Sequence, residues 1–348
     1  LTYVEMQKDG LNGVDGLDNA IHVTVSPDGN RVYATGYLDD AVAVFSRNVL
    51  TGTLIYVEMQ KDGVGEVDGL GGAHSVTVSP DGRHVYAAAN IDDAVAVFSR
   101  NSSTGALTYL DMQKDGLNGV DGLNGAKHVT LSPDGRHVYA PGRLDNAVAV
   151  FSRNSSTGAL TYVEIQKDGL NGVDGLNGAV HVTLTPDGNH VYAAGRLDNA
   201  VAVFSRNSST GALTYVEMQK DGLNGVDGLD NAIHVTVSSD GKHVYAAGYH
   251  DAAVAVFYRN VLTGALTYVE MQKDGVNGVD GLYGAHSVTV SADGKHVYVA
   301  GRADNAVAVF SRNSSTGALT YVEMQKDAVN GVYGLNGAIH VTVSSDGK

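Results

Sequence analysis

The stretch of sequence that decides the fold reads HVTLSPDGRHVYAPGRLDNAVAVF and occupies residues 128–151. It contains three runs of β-forming residues, and the first run alternates polar and apolar side chains as a half-buried strand does. The first two runs are separated by Pro133, Asp134 and Gly135. Proline presets φ and glycine supplies the positive φ that closes a hairpin, so this segment is a tight turn. The stretch therefore predicts three consecutive antiparallel strands.

The same stretch returns along the whole chain at a constant step of 53 residues, without insertions. One position of the repeat is always tyrosine: Tyr3, Tyr56, Tyr109, Tyr162, Tyr215, Tyr268 and Tyr321. A Leu-Thr-Tyr strand follows the three runs, so each unit holds four strands. This period, with several short strands per unit, is typical of β-propeller blades. We predict one propeller domain over 1–348, with repeats at 1–53, 54–106, 107–159, 160–212, 213–265 and 266–318 and a partial repeat at 319–348.

The strand order within a blade follows from the position of the loops. The long glycine-rich loop precedes the His-Val-Thr strand, so this strand is expected nearest the channel and the Leu-Thr-Tyr strand outermost. The chain starts with an outermost strand and ends just after an innermost one. We therefore predict an all-β propeller of four-stranded antiparallel blades, seven-bladed with the last blade incomplete. Such exposed edges favour a strand-exchange oligomer.

Composition and charge exclude several classes of partner. The formal net charge is −15, whereas nucleic-acid binding needs a basic stripe that displaces counterions. No apolar run approaches the roughly 20 residues that span a bilayer, so membrane insertion is not expected. The absence of cysteine removes disulfide and thiolate chemistry. We expect a secreted, periplasmic or cell-surface location.

The long loop between blades carries a repeated acidic pattern. Its oxygen-bearing residues in two consecutive copies are Asp115, Asn118, Asp121, Asp168, Asn171 and Asp174. Carboxylates, amides and free glycine carbonyls are the hard oxygen donors that Ca²⁺ prefers. Asp-Gly and Asn-Gly are also common turn formers, and the spacing is not that of an EF-hand. Turn chemistry is the favoured interpretation, a calcium site is the alternative, and no other cofactor is predicted.

Two sets of histidines recur with the repeat. Five begin the innermost strands, where serine replaces them in the other two copies: His22, His128, His181, His234 and His340. A wide seven-bladed channel would keep opposite imidazoles from sharing one metal ion, so we expect them to form hydrogen bonds. A second set follows the tight turn and is expected to be solvated: His84, His137, His190, His243 and His296. No nucleophile is placed beside either set.

Positions that differ between the otherwise uniform copies suggest where a ligand binds. One such position precedes the first histidine set and reads Ile21, His74, Lys127, Val180, Ile233, His286 and Ile339. The other lies in the second loop and reads Tyr37, Asn90, Arg143, Arg196, Tyr249 and Arg302. Both are expected on one loop face, which also carries the acidic loops. Because tyrosine and arginine are enriched at recognition hot spots, the second group is predicted to bind the ligand, with neutral drift as the alternative.

The motif VSPDGRHVYAA at 78–88, followed by DAVAVFSR from Asp93 and TGALTY from Thr104, resembles the lactonase-type and YVTN-type seven-bladed propellers. The resemblance extends to every repeat. It implies the 6-phosphogluconolactonase-like fold. It also implies either a bacterial lactonase activity or a binding role of the kind found in surface and secreted repeat proteins.

The uniformity of the blades shapes the functional hypothesis. A propeller enzyme needs single-copy acid, base or metal-ligand residues at the channel, and almost every polar residue here is repeated, so no catalytic residue is predicted. The leading hypothesis is a non-enzymatic, multivalent binding or scaffold propeller that recognises a protein or glycan through the acidic loop face. One alternative is a lactonase-like hydrolase that acts on a sugar lactone. Another is an engineered or consensus-like repeat propeller without a selected ligand.

Overall fold

The computed structural model describes residues 1–347 and folds them into six four-stranded antiparallel sheets, each a propeller blade. Blades 1 to 3 contain β1 (Ala20–Val25), β2 (Arg31–Gly36), β3 (Ala41–Arg47), β4 (Leu54–Lys61), β5 (Ala73–Val78), β6 (His84–Ala89), β7 (Ala94–Arg100), β8 (Leu107–Lys114), β9 (Thr130–Leu131), β10 (His137–Gly142), β11 (Ala147–Arg153) and β12 (Leu160–Lys167). Blades 4 to 6 contain β13 (Ala179–Leu184), β14 (His190–Gly195), β15 (Ala200–Arg206), β16 (Leu213–Lys220), β17 (Ala232–Val237), β18 (His243–Gly248), β19 (Ala253–Arg259), β20 (Leu266–Lys273), β21 (Ala285–Val290), β22 (His296–Gly301), β23 (Ala306–Arg312) and β24 (Leu319–Lys326).

The predicted propeller of four-stranded antiparallel blades is confirmed, and the strands of each blade follow sequence order. The blade count differs, because the structure has six blades where the sequence predicted seven with the last incomplete. The leftover segments 1–7 and 338–344 form no strand, since the described residues supply no middle strands between them. Lys348, the last residue of the predicted partial repeat, lies outside the described residues. No helix within residues 1–347 is long and apolar enough to cross a membrane.

The middle strands of each blade form its core. In β11 the run from Ala147 to Phe151 is fully buried, because both faces of the sheet pack against neighbouring blades. Phe151 also meets Tyr162 of the next strand edge-on, with ring centroids 5.7 Å apart. Gly142 ends the second strand where the incoming loop crosses it, and a Cβ there would clash with the carbonyl oxygen of Gly122. Glycine occupies this crossing in five of the six blades, and Ala89 takes its place in blade 2.

One arginine crosses each interface between consecutive blades. At the interface of blades 3 and 4, Arg206 Nε donates to the Tyr139 hydroxyl at 2.8 Å and Nη1 donates to Gly188 O at 2.9 Å. Its Nη2 donates to Asp134 Oδ2 at 3.0 Å and to His137 Nδ1 at 2.7 Å. We call this arrangement the interblade latch. Its other arginines are Arg100, Arg153, Arg259 and Arg312.

The latch corrects the interpretation of the second histidine set. His84, His137, His190 and His243 are buried, not solvated as predicted. Each accepts a hydrogen bond at Nδ1 from the arginine of the following blade. The sequence places a histidine and its arginine 69 residues apart, so the pairing has no local signal.

Candidate functional site

A cavity of about 340 Å³ lies at the centre of the ring, on the loop face. Two layers of side chains from the starts of the inner strands line it. The first layer contains His22, His128, His181, His234 and His340. The second layer, one residue earlier in each repeat, contains Ile21, His74, Lys127, Val180, Ile233, His286 and Ile339. Arg143 and Arg196 reach the same cavity from the second loops.

A β-bulge explains how consecutive residues line one cavity. In blade 4, Ala179 pairs with Gly195 and His181 pairs with Ala194, so Val180 is left without a partner on β14. An extra residue of this kind re-aims side chains that would otherwise alternate between the two faces of the strand. The same register shift occurs at the start of the inner strand in blades 1, 2, 5 and 6. The bulge therefore lets both layers face the cavity.

The first layer is a ring of closely spaced imidazoles. Ring centroids are 3.9 Å apart for His128 and His181 and 3.7 Å apart for His181 and His234. Where serine replaces one histidine, the spacing between the flanking rings widens to 5.7 Å and 6.0 Å. Burial, together with the neighbouring histidines, holds the pKa of each ring well below its usual value. The ring is therefore neutral at pH 7.

The predicted hydrogen-bonding role of these histidines is only partly met. His22 Nδ1 accepts from Val76 N of the next blade, at a long 3.5 Å. The Nδ1 atoms of His181, His234 and His340 are buried and have no hydrogen-bond partner within residues 1–347. Stacking between neighbouring rings takes the place of the expected hydrogen bonds.

The second layer breaks the symmetry of the ring, because only three of its seven residues are polar. Burial lowers the pKa of Lys127 to about 8, and the Arg143 and Arg196 guanidinium groups add to the effect. Burial also lowers the pKa of His286 to about 4 and holds that of His74 well below its usual value. At pH 7 the cavity thus offers neutral imidazoles beside an ammonium group that gives up its proton readily.

The structure places two of the six predicted ligand-binding residues in the lining of this cavity and the other four around it. Arg143 and Arg196 line it, whereas Arg302 is exposed and lines a wider adjoining cleft of about 870 Å³. Tyr37 and Tyr249 pack edge-on against the second-layer rings, with centroids 6.4 Å from His74 and 6.3 Å from His286. Asn90 donates to the Tyr37 hydroxyl at 3.5 Å. The two variable positions thus meet around one cavity, and their assignment as ligand contacts stays a prediction.

The cavity is basic although the chain is acidic. The net charge is −15, yet Lys127, Arg143 and Arg196 are the charged groups that line the cavity. Their positive field favours an anionic ligand or a developing negative charge on a bound one. The cavity and the wider cleft share His74, Lys127 and His286, so these three groups stand where a ligand would pass from one to the other.

The acidic loops bring carboxylates together, but not in the predicted set. Asp115 and Asp121 meet Asp145 of the second loop, with oxygens within 4.8 Å of one another. Asn118 instead occupies an exposed turn with φ of 54°. The equivalent group in the next copy is Asp168, Asp174 and Asp198, and Asn171 is again in the turn.

These carboxylates are already engaged with the protein. Asp115 Oδ1 accepts from Leu123 N at 3.0 Å, and Asp145 Oδ2 accepts from Asn124 N at 2.9 Å. Burial raises the pKa of Asp145 and of Asp168. Such bonds fit the turn interpretation, and calcium binding stays a prediction.

Comparison with known proteins identifies the family. The family described as lactonase, 7-bladed β-propeller, matches residues 20–118, 116–275 and 232–330. The matches cover well over half of the sequence, and the chain belongs to this lactonase propeller family.

A 6-phosphogluconolactonase of Klebsiella pneumoniae is 26% identical over 241 residues, which cover 68% of this chain and 66% of the relative. The chain thus spans slightly less than two thirds of that relative's length. Two solved structures share the fold, each with a TM-score of 0.70. A candidate 6-phosphogluconolactonase of Bacteroides fragilis is 23% identical and covers 89% and 85% of the two chains. A periplasmic gluconolactonase of Pseudomonas aeruginosa is 19% identical and covers 87% and 84%.

These relatives overturn the leading functional hypothesis of a non-enzymatic binding scaffold. They point to a lactonase hydrolase, which the sequence analysis held as an alternative. The uniformity of the blades does not exclude a unique site. In the structure, single substitutions such as Lys127 converge on one axis, so nearly identical blades still surround an asymmetric cavity.

Proposed function

We propose that the chain is a lactonase and that the central cavity is where it hydrolyses a sugar lactone. The observation that carries the proposal is the asymmetric, basic cavity at the centre of a lactonase-family propeller. Its volume of about 340 Å³ falls at the lower end of the range typical of small-molecule sites. The adjoining cleft gives a sugar ring a route from solvent.

The cavity holds the groups that lactone hydrolysis needs. A water molecule attacks the carbonyl carbon while a neutral imidazole, His74 or His286, accepts its proton. The guanidinium groups of Arg143 and Arg196 stabilise the negative charge that develops on the carbonyl oxygen. The ring C–O bond then breaks, and the Lys127 ammonium donates a proton to the departing alkoxide. The product is the open hydroxy acid.

Replacing Lys127 by isoleucine tests this assignment with little risk to the fold. Three equivalent positions of the chain already carry isoleucine. We expect kcat/KM for gluconolactone and its 6-phosphate to fall about 100-fold, the lower end of the contribution of a general acid. The measurement follows acid release and subtracts the spontaneous rate.

The matched control is Lys242→Asn, which removes the same charge from an exposed lysine and copies the asparagine of the equivalent position in blade 4. Lys242→Asn should hydrolyse both lactones with the kcat/KM of the parent protein. A parent rate equal to the spontaneous rate on every lactone tried would refute the lactonase proposal. Full activity in Lys127→Ile would instead refute the cavity as its site.

The pH profile of kcat/KM should be bell-shaped. Activity should rise as the pH rises through about 4, because the His286 imidazole then loses its proton and becomes a base. It should fall as the pH rises through about 8, because the Lys127 ammonium then loses the proton that it donates. Lys127→Arg should shift the falling limb upward, since guanidinium does not titrate in this range. A flat profile between pH 5 and 9 in both proteins would contradict these roles.

We also propose that the ring has seven positions and that segments 1–7 and 338–344 are the outer and inner edges of a seventh blade. Gln7 donates to Leu54 O at 3.1 Å, as Gln60 of β4 donates to Leu107 O at 3.1 Å. Val341 N donates to the Ser287 hydroxyl at 3.4 Å. Val129 N makes the same 3.4 Å bond to the hydroxyl of Ser75. Both segments therefore keep the contacts of blade strands.

The closure of the ring supports the same proposal. The Leu1 ammonium donates to Glu323 Oε1 at 2.5 Å, which repeats the bond of Leu107 N to Glu58. Arg47 of blade 1 pairs with Asp346 at 3.2 Å, as a latch arginine pairs with the aspartate of the preceding blade. Blades 6 and 1 thus flank a position that holds an inner and an outer segment.

A further inference from the structure

The first-layer histidines of the central cavity turn one nitrogen of each imidazole toward the cavity. Nδ1 is fully buried and unpartnered in four of the five rings: His128, His181, His234 and His340. Nε2 of these rings is not fully buried, and within residues 1–347 it has no hydrogen-bond partner either. His181 is only 8% exposed, so the accessible part of its ring is the part that lines the cavity. The layer therefore presents free Nε2 atoms to a ligand.

The backbone of the neighbouring blade indicates which nitrogen carries the ring proton. Val76 N donates to His22 Nδ1 at 3.5 Å, so Nδ1 accepts there and the proton of the neutral ring lies on Nε2. The two serines of the same layer accept in the same way, from Val129 N and from Val341 N, both at 3.4 Å. The layer thus meets backbone donors on its outer side. Its Nε2–H groups are donors on the side of the cavity.

The cavity offers hydrogen-bond donors and positive charge but no carboxylate. Among residues 1–347 its lining contains Lys127, Arg143 and Arg196 beside the imidazoles, and no aspartate or glutamate. Arg143 Nε is buried and has no hydrogen-bond partner within the same residues. A sugar hydroxyl would need an acceptor for its own proton, whereas the oxygen of an anion only accepts. Three positive side chains also disfavour a metal cation. The ligand that fits these groups is an oxyanion.

We propose that the five first-layer histidines form an oxyanion ring, which holds a small oxyanion between its Nε2–H donors and the neighbouring charged groups. The inference rests on the proposed function for one source of this ligand, because lactone hydrolysis forms the carboxylate of the hydroxy acid in the same cavity. Free inorganic phosphate is a second source of the same chemistry. An oxyanion in this place occupies the cavity and competes with the next lactone. The ring therefore makes the lactonase sensitive to inhibition by its own product.

Isothermal titration calorimetry of the intact protein at pH 7 tests the ring with three probes. Gluconate and inorganic phosphate are the two oxyanions, and glucitol is gluconate with an alcohol in place of the carboxylate. We expect one oxyanion to bind per chain and glucitol not to bind. Gluconate should also raise KM for gluconolactone without changing kcat. Binding of phosphate but not of gluconate would support the oxyanion ring and assign it to the free ion.

His181→Ser removes one donor from the ring, and the fold already accepts serine at the equivalent positions Ser75 and Ser287. Gluconate should bind to this variant about 10-fold more weakly, the effect of losing one hydrogen bond to a charged group. His296→Ser is the matched control, because His296 begins β22 and does not line the cavity. It should bind gluconate like the parent. Nitrogen NMR of the parent should show first-layer imidazoles with the proton on Nε2, and these signals should shift when gluconate is added.

Glucitol binding as tight as gluconate binding would overturn the proposal, because the ring would then recognise hydroxyl groups. It would also be overturned if neither oxyanion bound, or if both variants weakened binding equally. Zinc alone is the probe for a metal site, and loss of the Nε2–H signals on binding of one zinc ion per chain would contradict the oxyanion assignment. Lactone turnover is measured separately on the same sample. Oxyanion binding without turnover would refute only the lactonase, whereas turnover without oxyanion binding would refute only the ring.

Discussion

Replacement of Arg206 by alanine is expected to lower the free energy of unfolding by about 3 kcal/mol, because the buried guanidinium loses both its hydrogen bonds and its packing, although its partner Asp134 is partly exposed. The change removes five hydrogen bonds at the interface of blades 3 and 4. It leaves Gly188 O without its donor and opens a void where the guanidinium was buried. The loss would appear as a lower midpoint in urea unfolding followed by circular dichroism.

Arg136→Ala is the matched control, because Arg136 is exposed and lies on the turn of blade 3. It removes the same charge and should leave the midpoint within about 0.5 kcal/mol of the parent. Arg206→Lys keeps the positive charge but lacks the planar guanidinium group with its several donors. It should therefore recover only part of the free energy of unfolding that Arg206→Ala loses. If Arg206→Ala and Arg136→Ala unfolded at the same urea concentration, the latch would not stabilise the interface.

The propeller could be predicted from the sequence because its signals are local and repeated. The Asp-Gly turn, the alternating inner strand and the apolar Ala-Val-Ala-Val-Phe strand recur in register. They appear in every blade, although the inner strand of blade 3 is shortened to Thr130–Leu131. The blade count was not predictable in the same way. It depends on partner strands for segments 1–7 and 338–344, and the described residues form none.

The site was only half predictable, because two of its determinants are not local. The variable positions were recognised, yet strict strand alternation would have placed Lys127 and His128 on opposite faces. The β-bulge directs residues of both layers to the cavity, and the composition of the sequence does not predict it. Whether His137 is buried or solvated likewise depends on Arg206, an arginine of the next blade. Periodicity shows which residues are equivalent but not which of them touch.

Acid should destabilise the protein well before its carboxylates titrate. The first-layer histidines have folded-state pKa values well below 6.5 because they are buried, whereas in the unfolded chain they titrate near 6.5. Below about pH 6.5 the unfolded state therefore binds protons that the folded state does not, and the free energy of unfolding falls with pH. Each buried imidazole should cost on the order of 1 kcal/mol between pH 6.5 and 5.5. Five of them together should lower the melting temperature steeply in that window.

His181→Ser isolates one imidazole, because serine already fills the equivalent position at Ser75 and Ser287. The variant should lose about a fifth of the first-layer contribution to the pH dependence, so that its melting temperature relative to the parent rises between pH 7.5 and 5.5. His250→Ser, which removes a histidine whose side chain is 55% exposed, is the matched control for the loss of a ring. If His181→Ser and the parent lost stability in parallel as the pH fell, the imidazole would bind its proton equally well in the folded and unfolded states. The first layer of the cavity would then become cationic as the pH falls through about 6.5, and burial would not keep these rings neutral.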